Sequence, residues 1–506
     1  MGIMLNEDCC HFLDSRSNII ENVDVDYLNA FIDQYANTGV SDFIMNISST
    51  LSYVPSKTIE FAGDKYNVKE ELGVPVDYTK DAFTRAVYHL WYEKGIDMYQ
   101  VWIDRCRYNK IHPWLSFRMN NAEFLYGNEP HAHLSQYYYK HFYDYARVNY
   151  RTKFSGHDQC RDYGIEEFRE YMLAYIEEMI NRYDVFGIEL DFLREHVCLK
   201  IGDEYEGRKI LTGFVGRVKK IITDAEKKYK HPIKLLVRCP IEPRLAFEWG
   251  FDVVAWARQG LVDVIVPSPN WITTDNDAPL VLWNTILEPY NVEVVGCIER
   301  NINSNPEYFN TLVQREFGFY LQPNTLESFC GSVVATLSQI PGKLYLFNYM
   351  DAPETDTKPK EITCPIRDYS AVLNCVVDFE KTIRMPRKHI VSYNDTPLPW
   401  MKCNAVFPME FGSKKALKAI RINTGIIPED MACILELGMK SIKDVEVFCN
   451  GVKLNFVSQK ACTKPILTDN EVYCFGIPSN ARKSQYQVIE ICALETMIDY
   501  AAIIVC

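Results

Sequence analysis

A pair of acids two residues apart in an apolar run is the strongest chemical signal in the chain. In Phe186-Gly187-Ile188-Glu189-Leu190-Asp191-Phe192, three apolar side chains alternate with Glu189 and Asp191. On an extended strand that alternation puts both carboxylates on one face, about 6–7 Å apart. Such a spacing is near what an inverting glycosidase uses for its acid and base. Arg194 follows directly and is placed to pair with both acids. A Glu–Arg–Asp network that only supports the fold is therefore the competing reading.

Polar groups end the other apolar runs as well. Asn6, Glu7 and Asp8 end the first, with His11 and Asp14 just beyond. Asn46 and Ser48 end the second, and Ser116, Arg118 and Asn120 share a face at the end of the third. Arg238 ends the fifth, and Ser268 and Trp271 follow the sixth. Glu299 and Arg300 end the seventh, and Asn348 and Asp351 the eighth. The N-terminal halves of the runs read as apolar. Any one of these residues is as readily a cap as a ligand, but their convergence predicts a polar cup that binds hydroxyl groups. His131 and His133 stand two apart on a long connection. No HExxH or paired Cys/His spacing points to a metal, no GxSxG to a serine nucleophile, and no glycine-rich loop to a nucleotide. Carboxylate and histidine acid–base chemistry remains, with no cofactor or metal expected.

The elements that must hold these groups alternate between strand and helix. Strands are predicted at 3–6, 42–46, 114–118, 186–192, 233–238, 262–266, 292–298 and 344–348. Between them, Phe168, Met172, Ile176, Met179 and Tyr183 recur at helical spacing with charges on the opposite face. Further helices are predicted at 27–35, 80–92, 208–228, 246–258 and 326–339. Eight strand–helix units point to a (β/α)8 TIM barrel over residues 1–385, with a doubly wound open sheet as the runner-up. The long connections at 48–76 and 121–164 leave strand C-termini, where barrel enzymes build their sites. The second carries Tyr137, Tyr138, Tyr139, Tyr143 and Tyr145, which read as a cluster packing its own loop or as a lid that stacks on sugar. Beyond residue 385 only strands are predicted, at 388–393, 416–423, 433–437, 445–456, 471–476, 486–494 and 498–505. Asn450-Gly451 marks a hairpin turn. An all-β sandwich over 386–506 follows, with a supporting or oligomer-forming role.

Composition narrows the function. The 506 residues include 54 Lys and Arg against 67 Asp and Glu, a net charge of −13, which argues against a nucleic-acid partner. No apolar stretch approaches the roughly 18 residues of a membrane span. Residues 1–13 lack a basic, then apolar, leader pattern, and the 17 cysteines form no CxxC pair. A cytoplasmic protein with reduced, buried thiols is expected.

Several motifs resemble a broad group of family-10-like glycoside hydrolase barrels. They are Asn6-Glu-Asp8, Trp114-Leu-Ser-Phe-Arg-Met-Asn120, the run from Arg182 to Arg194, the run from Gly260 to Pro267, and Tyr345-Leu-Phe-Asn348. Within that group the chain most resembles glycoside hydrolase family 156, the inverting exo-sialidases. The resemblance implies a catalytic pair of Asp14 and His133, with Asp8 and His131 as neighbouring candidates for the same roles. It also implies sugar binding by Arg194 and Asn348. Arg118, Asn46, His131, Glu189 and Asp191 complete the expected substrate-binding set. A sialylated or other glycan substrate and a homodimer are the expected partners. Another glycosidase using Glu189 and Asp191 as its acid pair, or a non-catalytic sugar-binding barrel, are the alternatives.

Overall fold

The computed structural model describes the chain except residues 122–129, 142–143, 145–159, 194–195, 201, 270–272, 303–321, 352–363, 393–405, 461–467, 469 and 484. Its first part is a ring of parallel strands. These are β1 (Gly2–Glu7), β2 (Val40–Ser48), β3 (His112–Arg118), β4 (Gly187–Asp191), β5 (Lys234–Pro240), β6 (Val264–Ser268), β7 and β8 (Lys343–Phe347). β7 comes in two pieces. Glu293–Val294 pairs with β6 and Gly296–Glu299 pairs with β8, so the seventh strand closes the ring. The fold is thus the α/β barrel that the strand–helix alternation predicts.

Alternation sorts the strand residues. Met4, Ile44, Trp114, Leu236, Val264 and Tyr345 fill the barrel interior, while Ile3, Leu5, Phe43, Leu115 and Ile188 join the outer core beneath the helices. The base of the barrel departs from the apolar expectation. Asp42 is fully buried there and accepts from Trp114 Nε1 at 2.9 Å and from Lys343 Nζ at 2.8 Å. Burial opposes its charge, but bonds from His112 and Lys343 hold its carboxyl down at about 2.

Four helices matter for the site. They are α1 (Cys9–Ser15), α2 (Ala82–Tyr88), α3 (Glu166–Arg182) and α4 (Leu326–Leu337). α3 buries Phe168, Met172, Ile176 and Met179, the predicted stripe. The single helix expected at 246–258 is two, Pro243–Glu248 and Val253–Arg258, interrupted at Gly250 with φ 96°. No helix among the described residues is long and apolar enough to cross a membrane.

The second part has two antiparallel sheets. Its strands are β9 (Arg387–Ile390), β10 (Met409–Glu410), β11 (Ala416–Asn423), β12 (Cys433–Met439), β13 (Glu446–Cys449), β14 (Val452–Lys453), β15 (Asn455–Lys460), β16 (Glu471–Gly476), β17 (Tyr486–Ala493) and β18 (Met497–Val505). One sheet runs β9-β18-β12-β16-β15 with β10 also on β18, and the other runs β11-β17-β13-β14. Leu435, Leu437, Ile489, Ile491 and Ile503 pack between them. Asn450 and Gly451, at φ 50° and 81°, make the expected turn. The expected strand after it instead divides at buried Leu454, so that β14 and β15 serve different sheets.

The two parts meet where α4 lies on β9. A Cβ on Gly331 would stand 2.2 Å from the Lys388 carbonyl oxygen. Alanine is the better helix former by about 1 kcal/mol, so propensity alone favours Gly331→Ala. Backbone cannot step aside as a side chain does, and the variant is expected to lose about 1–3 kcal/mol in denaturant unfolding. An unchanged or raised midpoint would contradict this close approach.

Candidate functional site at the barrel mouth

The C-terminal mouth is organised around one arginine. Asp191, the last residue of β4, is the cross-strand neighbour of Arg238 on β5. Arg238 Nη1 donates to Asp191 Oδ2 at 3.2 Å, and its Nε donates to Ser268 Oγ of β6, also at 3.2 Å. Its Nη2 lies 3.7 Å from Glu299 Oε1 of β7. Glu299 in turn accepts from Asn348 Nδ2 at 3.3 Å. Asn348 follows β8 in the left-handed region, φ 56°, which turns its amide towards Glu299. The guanidinium also stands 3.6 Å from the Phe347 ring centroid. Arg238 is 1% exposed. Burial works against its charge, yet Asp191 and its other neighbours raise its pKa.

Glu189 sits one layer deeper, wholly buried, and accepts from the Tyr345 hydroxyl at 2.7 Å. Both acids of the β4 pair therefore face the interior. Burial, and then the charge of Asp191, push Glu189 up to about 7. Arg194, the expected partner of these acids, lies outside the described residues, as do Tyr143, Tyr145 and Trp271. Among the described residues, Arg238 is bound to Asp191.

A second sector lies over β1 to β3. Arg118 Nη2 donates to Asp8 Oδ2 at 3.0 Å, and both are buried. Asp8 occupies the N-cap position of α1 but makes no side-chain cap bond. Asn46 is buried beside Ser116, its partner across the β2–β3 ladder. Asp14 lies half-buried in the last turn of α1. Its charge acts, with those of Asp8 and Arg118, on the Cys10 thiol. Tyr53 feels the same Asp8 and Arg118, and its ring meets Phe83 of α2 edge-on at 4.9 Å.

The two histidines differ in environment. His133 stacks on Phe83 at 5.3 Å, and its Nε2 lies 3.4 Å from Asp81 Oδ2. Burial opposes the Asp81 charge, but the His133 bond holds that carboxyl at about 2. His131 Nδ1 accepts from the His133 backbone N–H at 3.1 Å. That bond requires a lone pair, and burial pushes His131 down to about 4. His131 thus accepts through Nδ1, while His133, 23% exposed, faces a carboxylate. Below them Lys65 is buried against Glu71, which also takes the Gln136 amide and, at 2.5 Å, the Tyr78 hydroxyl. This ties the connection after β2 to the histidine-bearing loop. Neither Asp81 nor the Lys65–Glu71 pair is marked by any motif.

A further polar cluster lies behind β1. Glu7, His11 and Asp351 each bring one possible metal-ligand atom within 4.8 Å of the others. His11 Nδ1 and Glu7 Oε1 are hydrogen-bonded at 3.0 Å, and Arg16 Nη2 pairs with Asp351 Oδ2 at 2.9 Å. The guanidinium already supplies a positive charge, and the cluster fastens α1 to the end of β8.

No protein-family model matches the sequence, and no curated protein does. Among solved structures, the chain is similar to an endo-β-1,4-mannanase from Thermotoga petrophila, at 10% identity and TM-score 0.43 over 99% of this chain and 97% of that one. It is also similar to an endo-1,4-β-mannanase from Rhizomucor miehei, at 11% identity and TM-score 0.41 over 75% and 95%. An α-galactosidase from Geobacillus stearothermophilus matches at 9% identity and TM-score 0.34 over 98% of this chain and 56% of its own. Each is a likeness of architecture, and none assigns an activity.

The raised Glu189 carboxyl has a consequence for stability. Its ordinary value is 4.5 and its folded value about 7, so folding favours the protonated form. The stability it contributes is full below pH 4.5 and is lost as pH rises through 7. Glu189→Gln keeps an acceptor for Tyr345 but cannot ionise. Urea unfolding at pH 4.5 and pH 7.5 should show the variant gaining on the parent by on the order of 3 kcal/mol. Parallel pH curves would refute this.

Proposed function

We propose that the chain is a glycoside hydrolase, an exo-acting sialidase that inverts the anomeric configuration. The supporting observation is the ring of buried polar groups at the C-terminal ends of the strands: Asp8, Asn46, Arg118, Asp191, Arg238, Glu299 and Asn348. Charges are retained in such a place at high desolvation cost when they pair or work. A sialic acid carries a carboxylate beside its anomeric carbon, and arginine in bidentate geometry is the matching group. Arg118 and Arg194 are assigned that role, which must be local because the net charge of −13 repels an anion at long range. Asn46 and Asn348 take hydroxyl groups. Glu189 and Asp191 orient the arginines.

Asp14 activates water, and His133 serves the leaving oxygen from the other side of the sugar. The resemblance to family 156 supports this pair. So does their common sector, since Asp14 acts on Cys10 beside Asp8 and Arg118, and His133 reaches the same cluster through Phe83 and Tyr53. A second reading makes Glu189 and Asp191 the acid pair, favoured by the value near 7 for Glu189. Its bond to Tyr345 beneath the Arg238 layer speaks for a supporting role instead.

Asp14→Ala and His133→Ala should each lower kcat/KM on a fluorogenic sialoside by about 10²–10⁴-fold, with Glu189→Gln losing less. A His133→Ala enzyme within about threefold of the parent, far below that range, would remove the residue from the mechanism. NMR of the first-formed sugar should show the inverted anomer, and a retained one rejects the mechanism. The β-sandwich is assigned to a homodimer interface, and light scattering at micromolar concentration should give twice the chain mass. A monomer mass would dismiss it.

A further inference from the structure

We propose that Cys330 and Cys375 form a peroxide-sensitive dithiol that closes to a reversible disulfide and locks α4 against the neighbouring helix Tyr369–Val377. The two sulfur atoms lie 3.1 Å apart, about 1 Å beyond the length of a disulfide bond, about 2.05 Å. Both side chains are buried on facing helices, 45 residues apart in sequence. The proposal is independent of the sialidase reading.

The surroundings divide the labour between the sulfurs. Helix Tyr369–Val377 leads at once into Phe379–Ile383, whose Lys381 and Thr382 face Cys375. Thr382 Oγ1 donates to the Cys375 carbonyl at 2.8 Å, which holds this corner close to the thiol. The hydrogen bond shared with Cys330 is the largest influence on Cys375, and with Thr382 and the Lys381 charge it lowers that pKa against the effect of burial. Cys330 is raised, chiefly by the same bond and by burial. With Lys381 and Thr382 beside it, Cys375 is assigned as the sulfur that forms the thiolate, and the thiolate is the nucleophile.

The reaction balances with hydrogen peroxide as oxidant. The Cys375 thiolate attacks one peroxide oxygen, the O–O bond breaks, and hydroxide leaves with the electron pair, giving a sulfenic acid. Cys330, deprotonated by that hydroxide, attacks the Cys375 sulfur, and a second hydroxide leaves and takes up a proton. Two thiols and one peroxide become one disulfide and two waters. Gly331, the residue after Cys330, is where α4 meets Lys388 of β9. The new bond therefore fixes the helix on which the sandwich rests.

The test uses the full chain, reduced, desalted and exposed to hydrogen peroxide. Peptide mapping without reduction should yield a peptide joining residues 330 and 375, lost again on adding dithiothreitol, and the oxidised protein should melt higher than the reduced one. In Cys330→Ser the resolving thiol is gone, and dimedone should trap Cys375 as its sulfenic acid. In Cys375→Ser no sulfenic acid should form at Cys330. If either serine variant fails to fold, mapping of the parent decides alone. Absence of the 330–375 peptide after peroxide treatment, or its persistence in dithiothreitol, would overturn the proposal.

Discussion

A guanidinium held out of water between two carboxylates is the constraint around which the barrel mouth is built. Arg238 meets Asp191 on one side and Glu299 on the other, with Ser268 and the Phe347 face completing its shell. Removing the guanidinium would leave two buried carboxylates without this cation, a loss of several kcal/mol. The side chains of β4 to β8 are thereby held in mutual register by one residue. A binding surface made from strand ends needs such fixation, because a sugar's hydroxyl groups discriminate only against donors and acceptors that cannot move.

The opposite sector achieves order differently. There Asn46 and Arg118 still come from strand ends, but Asp14 comes from α1 and the histidines from a loop that a buried lysine helps to anchor. Lys65 against Glu71 draws in Tyr78 and Gln136, so two long connections share one anchor. His131 spends its ring nitrogen on the backbone of His133, which sets the second ring against Phe83 and Asp81. One half of the mouth is thus strand-borne, and the other adds groups from α1 and a loop to its strand ends.

The strands were legible because period-two alternation and apolar runs are local properties, as in the run carrying Glu189 and Asp191. Local signals failed where the chain changes course within a segment. The helix expected at 246–258 breaks at Gly250, and the strand after Asn450-Gly451 switches sheets at Leu454. α1 went unseen because it begins two residues after β1 ends and spans only Cys9–Ser15. At the site, the residue types were readable but not their pairing. That Asp191 meets Arg238 depends on which strand lies beside β4, and that His131 props His133 depends on a ring nitrogen's choice of donor. Neither is written in the spacing of residues.

The division of β7 gives Arg238 one more significance. Backbone pairing between β6 and β7 covers Val264 with Glu293 and Ile265 with Val294, with further bonds from Glu293 N to Asp263 O and from Val295 N to Ile265 O. Above that point the upper piece of β7 pairs with β8. The barrel is a cask with one stave cut short, and its seam opens towards the mouth between Ser268 and Glu299. Arg238 touches both of these residues from the neighbouring stave. A side chain here takes over the hoop that main-chain hydrogen bonds provide elsewhere around the ring.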